Sequence, residues 1–166
     1  KMMLYKTDGH RDKQTRYNFD WVHSALGRHG GIDLDKVDVR PCLFGLHLLQ
    51  RYPAARVNIV ESEKTAIIMA TAWGNNQEQI WMACGGAENL NLGKLSPLIK
   101  QERDIILYPD RDKVAEWERK VISLDYPRLL VDARPVTEWW QPQDGEKADI
   151  ADVVINRLTE FRHEEE

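Results

Sequence analysis

The chain alternates short, unbroken apolar runs with amphipathic stretches. "ARVNIV", "QIWMAC", "RDIILYPD" and "RLLVDAR" are rich in Val, Ile and Leu and carry little interior charge. Runs of this kind predict strands covered on both faces. Between them, "SEKTAIIMATAWG" predicts a helix: Ser62 can cap it, Ala66, Ile67, Met69, Ala70 and Trp73 supply an apolar face, and Gly74-Asn75 stops it. "RDKVAEWERKVISLDYP" predicts a second helix, with Val114, Trp117, Val121 and Leu124 along one side. "AENLNLGKLSPLIK" reads as a loop with a short helix or turn, and "KADIADVVINRLTEF" as a closing helix. Ahead of the first strand, Leu43, Leu46, Leu48 and Leu49 in "RPCLFGLHLLQRYP" predict a short helix that ends before Pro53.

The first 39 residues follow a different pattern. Met2 to Tyr5 predict a short strand, followed by a polar turn around Asp8-Gly9. "NFDWVHSAL" is either a second strand or the start of a helix, and "GRHGGIDLDKVD" reads as a solvated loop. Residues 1–39 therefore form a hairpin-like extension. Residues 40–160 form an α/β domain in the order β-α-β-loop-β-α-β-α, with a mainly parallel central sheet and helices on both faces. Residues 161–166, "FRHEEE" at the end of the chain, read as a fraying charged tail.

Composition changes this picture little. The 166 residues are about one domain's length, and 42% hydrophobic with 30% charged residues is ordinary for a globular chain. A net charge of −4 argues against non-specific clamping of a phosphate backbone, although a local basic face remains compatible with it. The two cysteines, Cys42 and Cys84, make no Cys-x-x-Cys pair, which argues against a zinc site or disulfide framework. No run approaches the roughly 18 apolar residues of a membrane span, so no membrane is expected and a cytoplasmic location is the default. Lys1 precedes the first methionines, as in a domain cut from a longer protein.

The chemistry lies at the strand ends. Glu61 follows the first strand of the domain at once, and Asp110-Arg111-Asp112 follow the third. In a parallel sheet these are the same edge, where ligands of open α/β sheets sit. If the two strands are neighbours, Glu61, Asp110 and Asp112 converge, and their repulsion calls for a raised pKa or a bound cation. Mg²⁺ takes oxygen ligands and keeps several waters, so Asp-x-Asp suits it, and phosphoryl chemistry is its natural use. The plainer reading is that Glu61 caps the helix that follows it, acids being favoured near a first turn, and that Asp110 caps the next helix, with Asp112 in its first turn. Gly85-Gly86, after the second strand, either lets a phosphate approach or makes a plain tight turn. There is no Gly-Lys-Ser/Thr loop and no Gly-x-Gly-x-x-Gly.

"VNIVESEKTA", "IWMACGG" and "IILYPDRD" together resemble the Toprim domain of bacterial primases, topoisomerases and some nucleases. That pattern is a strand and glutamate, a strand and glycine turn, and a strand and Asp-x-Asp. Val60-Glu61-Ser62-Glu63-Lys64-Thr65-Ala66 is similar to the primase-like branch, as is "KADIADVV". "CLFGLHLL", "VESEKTAIIMA" and "ILYPDRD" with its following Trp resemble more closely an uncharacterised Toprim-like family of Bacteroides mobile elements and phages. In that family the domain follows a small N-terminal region. The resemblance implies a catalytic glutamate at Glu61 and metal-binding aspartates at Asp110 and Asp112, with Glu61 in the metal shell or acting as general acid/base. The implied cofactor is Mg²⁺, with Mn²⁺ as a substitute. Three departures stand out: Ser62 replaces a glycine, Thr65 replaces an acid, and no glycine follows Asp-x-Asp.

The resemblance implies a primase-like nucleotidyl transfer in mobile-element or phage DNA replication, acting on single-stranded DNA and nucleotides beside other domains of a longer chain. A non-catalytic nucleic-acid or protein-binding domain and a small metal-dependent nuclease are the alternatives. A plain α/β domain with unrelated acids would keep Glu61 far from Asp110. Around the core triad, Glu63 either joins the cluster or faces solvent. Lys64 neutralises a phosphate or is an exposed helix lysine, and Arg111 pairs with an aspartate or touches a phosphate. Asp149 and Asp152, three apart on one helix side, form either a site rim or a cap. Of the six tryptophans, Trp73, Trp81 and Trp117 read as core, and Trp139-Trp140 as packing or base-stacking residues. The densest basic patch, His10 to Arg16, either tracks a nucleic acid or is a solvated loop.

Overall fold

The structure is a computed structural model that describes residues 2–4, 12, 14, 19–31, 33–36 and 42–164. The basic patch from His10 to Arg16 lies outside the described residues except at 12 and 14. The chain divides into two compact units at Pro41.

In the first unit, β1 (Met2–Met3) pairs antiparallel with β2 (Phe19–Asp20), Met3 opposite Phe19. The helix α1 (Val22–His29) begins two residues later, so "NFDWVHSAL" holds both a strand and a helix. Arg28, in the last turn of α1, bonds back to Asp20. A 3₁₀ turn follows at Leu34–Lys36.

The second unit is an α/β layer structure. The short helix α2 (Leu48–Arg51) precedes β3 (Arg56–Val60). Then come α3 (Glu63–Trp73), β4 (Gln79–Ala83), α4 (Leu92–Ile99), β5 (Ile105–Tyr108), α5 (Val114–Leu124), β6 (Leu129–Val131), α6 (Arg134–Thr137) and α7 (Ile150–Glu164). The four strands form one all-parallel sheet in the order β4-β3-β5-β6. The helix of "AENLNLGKLSPLIK" is α4, capped by Asn91 on the Lys94 amide at 3.1 Å. The backbone of the charged tail, expected outside the fold, is helical as far as Glu164.

Alternation along each strand sends side chains to opposite faces. Val57, Ile59, Ile80, Met82, Ile105, Leu107 and Leu129 share one cluster with Leu49 of α2, Leu95 and Leu98 of α4 and Trp117 of α5. Val60, Trp81 and Ala83 share the other with Ala66 and Met69 of α3 and Ile150 and Ala151 of α7. Burial on both faces explains the unbroken apolar runs of β3 and β4. Arg103, only 4% exposed, ties the start of β5 to the turn before β3 through the carbonyls of Tyr52, Pro53 and Ala55. That clamp closes the amino edge of the sheet and leaves the carboxyl edge to other residues.

The sheet order sets the site. The chain steps from β3 out to β4, then returns past β3 to β5. The carboxyl ends of β3 and β5 therefore flank the point where strand order reverses, the crevice position in open α/β sheets.

Candidate functional site

Glu61 follows Val60 on β3, and Asp110 follows Tyr108-Pro109 on β5. The register pairs Val60 with Tyr108, so both acids leave the same edge of adjacent strands. The glycine turn after β4 docks onto the same point. The Gly85 and Gly86 amides donate to the Glu61 carbonyl at 2.8 and 3.1 Å, and the Cys84 amide donates to the Val60 carbonyl at 3.0 Å. Gly85 (φ +76°) and Gly86 (φ +129°) occupy backbone regions that an L side chain resists. The glycines thus bring the backbone onto Glu61, and their amides are committed there rather than offered to a phosphate. A Cβ at Gly85 would stand 3.2 Å from Glu63 Oε1, so the Glu63 side chain lies over the turn. The Lys94 ammonium donates to the Cys84 carbonyl, and burial pushes the Cys84 thiol up to about 11.

The capping reading of the acids holds in position only: Asp110 and Asp112 occupy the N-cap and first turn at Arg111–Lys113, while Glu61 precedes the cap of α3. Ser62, not Glu61, caps α3 by accepting the Thr65 amide at 3.2 Å. Asp110 holds the N-cap position of a 3₁₀ turn at Arg111–Lys113, yet its side chain makes no capping bond. Instead, burial first and then the charges of Glu61, Asp149, Asp112 and Asp152 push the Asp110 carboxyl up to about 8. Glu61 Oε2 is buried with no hydrogen-bond partner among the described residues. Asp112 lies exposed on the turn.

Asp149 and Asp152 belong to both alternatives. Asp149 accepts the Ala151 and Asp152 amides at 2.8 and 3.0 Å, and Asp152 accepts the Asp149 amide at 3.0 Å. This reciprocal cap starts α7. Asp149 also accepts the Thr65 hydroxyl, which lies 2.8 Å from Ser62 Oγ. The charges of the same two carboxylates also help to raise the Asp110 pKa. Burial raises the Asp152 pKa, and the nearby Lys64 charge opposes that rise. Lys64 is exposed.

Arg111 turns away from both neighbouring aspartates. Its guanidinium carbon lies 3.9 Å from the Trp140 ring centroid, and Nη1 donates to the Val136 carbonyl at 2.9 Å. Its amide donates to the Ala148 carbonyl at 2.9 Å. Trp140 in turn donates to the Gly145 carbonyl at 2.8 Å, while Trp139 is 46% exposed. Arg111 and Trp140 therefore brace the segment between β6 and α7 against the site's edge.

Three participants escaped the sequence reading. Thr65 links α3 to Asp149. Lys113, paired first with Glu116, also feels Asp112 and Glu61. Asp132 ends β6 on the same edge, and its Arg134 partner at 2.7 Å lowers its pKa. Asp132 could have been found by the rule that picked out Glu61 and Asp110, an acid directly after a strand. Thr65 and Lys113 carry no such signal.

A family model for a domain of unknown function, DUF6371, matches residues 1–111. The chain belongs to this family. No curated protein and no solved structure matches it. The DUF6371 match takes in Glu61, the glycine turn and Asp110, and it ends before Asp112.

The DUF6371 site can be compared with the cation that the sequence implies. Every candidate donor is a carboxylate, and one oxygen of Glu61 is buried without a partner among the described residues. That chemistry fits a hard cation that keeps part of its water shell and takes one or two carboxylates. It does not fit a dehydrated ion in a protein cage, because no three His, Cys, Asp or Glu side chains among the described residues are grouped to hold one. No helix among the described residues is long and apolar enough to cross a membrane.

Proposed function

We propose that this domain is a Mg²⁺-dependent, nucleic-acid-acting domain, primase-like in its chemistry and working in mobile-element or phage DNA replication. The observation that carries the reading is the Asp110 carboxyl, pushed up to about 8 by burial and by four neighbouring carboxylates. Such a cluster is relieved by a proton or by a cation. Perturbed carboxylates at a strand-order reversal are a functional-site signature.

Asp110 and Glu61 would hold the hydrated ion, with Asp112 on the solvent side receiving its waters. When bound, Mg²⁺ supplies charge neutralisation for phosphoryl oxygens. Glu61, whose carbonyl the glycine turn holds, would either join that shell or accept and return a proton at a 3′ hydroxyl. Lys64 and Lys113, whose charges reach Asp152, Asp112 and Glu61, would favour a polyanionic strand there.

One observation favours a second reading. With no three-carboxylate cage among the described residues, the domain would bind nucleic acid or a protein partner without catalysis. A small metal-dependent nuclease uses the same residues. The deciding assay supplies Mg²⁺ or Mn²⁺, single-stranded DNA and nucleoside triphosphates to the wild type and to Asp110→Ala. Primer synthesis lost in Asp110→Ala supports the primase-like reading, and strand cleavage lost in it supports the nuclease. Binding unchanged by the substitution, with neither product formed, supports the non-catalytic reading.

A further inference from the structure

The open edge of the sheet is β6. The Ile105 amide donates to the Arg128 carbonyl at 2.8 Å, and the Asp132 amide donates to the Leu107 carbonyl at 2.9 Å. With Ile106 opposite Leu130, the even-numbered backbone groups of β6 face β5, and those of Leu129 and Val131 face outward. The Leu129 amide turns back to the Tyr126 carbonyl at 3.1 Å. The Val131 amide and the Leu129 and Val131 carbonyls thus lie on the side of β6 away from β5. Beside them Leu130 is 61% exposed on the sheet face it shares with Arg128 and Asp132.

We propose that β6 pairs antiparallel with β6 of a second copy of this chain, extending the sheet across a two-fold axis at Leu130. Backbone direction and charge select one register. Outward-facing residues must oppose outward-facing residues for the ladder to form. With Leu130 opposite Leu130, Val131 faces Leu129 and donates its amide to that carbonyl, and the axis repeats the bond. Arg128 then faces Asp132 of the second copy. Moving the register by two residues one way sets Arg128 against Arg134. Moving it the other way sets Arg128 against Leu130 and Asp132 against Tyr126. Only the centred register matches leucine with leucine and opposite charges with each other, the arrangement that stabilises cross-strand pairs. An isologous two-fold contact needs this self-complementarity. The bonds of Arg128 to Asp104 and of Arg134 to Asp132, both 2.7 Å, hold the charged pair at the edge. Leu130 supplies the apolar centre between them.

Sedimentation velocity of the full chain over a concentration series tests this. The wild type is expected to associate reversibly to a dimer. Arg128→Asp and Asp132→Arg each put like charges opposite one another and are expected to weaken association by roughly tenfold or more. Mixing these two variants restores opposite charges on both sides of the axis, so a heterodimer is expected from two weakly associating chains. Val131→Pro removes the outward amide, at some cost in the packing of the Val131 side chain on the core, and is expected to leave a folded monomer by circular dichroism. If a single charge variant does not fold, Arg128→Asp combined with Asp132→Arg takes its place and is expected to dimerise like the wild type. A wild type that is monomeric throughout overturns the proposal. So does a dimer indifferent to Val131→Pro and to both charge reversals.

Discussion

The Thr65 hydroxyl donates to the Asp149 carboxylate, joining the first turn of α3 to the N-cap of α7 across 84 residues of chain. This bond holds Asp149 where its charge helps to raise the Asp110 pKa, and so connects the packing of two helices to the electrostatics of the sheet's carboxyl edge. Thr65→Val removes the donor and leaves a part-buried carboxylate with fewer partners. It is expected to cost about 1–3 kcal/mol in urea unfolding, with Thr65→Ser close to wild type.

Asp110 makes stability fall as pH rises. Its folded pKa of about 8 lies above the ordinary carboxylate value. The folded state therefore holds a proton that the unfolded chain has lost. The stability contribution is full below about pH 4 and is lost as pH climbs through 8. Asp110→Asn removes this dependence. The variant is expected to gain roughly 2–3 kcal/mol over wild type at pH 9 and little at pH 4, allowing for screening at a partly exposed site. Melting temperatures across that range check it, and a gain equal at both ends would contradict it.

A cation offers the alternative relief. Mg²⁺ at about 100 times its dissociation constant is expected to stabilise the wild type by about 2.7 kcal/mol. Asp110→Asn and Glu61→Gln should remove most of that shift, while Glu63→Gln should keep it. Thermal melts with and without Mg²⁺ read this without any assay of activity.

The glycine turn is a backbone requirement. Gly86 sits at φ +129°, and its Cβ would stand 3.1 Å from Asn89 Nδ2. Gly86→Ala is expected to destabilise by about 1–3 kcal/mol in urea unfolding, chiefly through the backbone. It should also weaken the Mg²⁺ response, because the turn fixes Glu61 through its carbonyl.

Arg111 separates bracing from phosphate contact. With its guanidinium over Trp140 and on the Val136 carbonyl, Arg111→Ala is expected to cost about 1–2 kcal/mol. Arg111→Lys should recover little, since lysine lacks the planar stack. Unchanged stability with weakened binding of single-stranded DNA would return Arg111 to the phosphate role.

Much of this molecule was readable from its pattern. Four continuous apolar runs became four parallel strands; on β3 and β4 burial on both faces leaves no polar alternation, while β6 keeps its apolar run at the sheet edge with Leu130 exposed. Ser62 capped α3 as its hydroxyl and position implied. The Asp149-x-x-Asp152 cap could also be read locally, since a capping box depends on neighbours three residues apart. The segment from Asp132 to Asp149 was opaque. It holds α6 and a 3₁₀ turn at Pro142–Asp144, and neither is long enough to show a period.

The sequence by itself determined the four strands of the sheet, the helices α3, α5 and α7, and that acids stand at the ends of β3 and β5, because periodicity and chain position are local properties. Only the tertiary structure decided that β3 and β5 are neighbours, that the Gly85-Gly86 amides bind the Glu61 carbonyl, and that Arg111 turns to Trp140. It also decided that Asp149 serves as cap and as neighbour of Asp110 together. Those relations depend on strand order and on how α7 packs with α3, and both are settled by burying the two sheet faces at once.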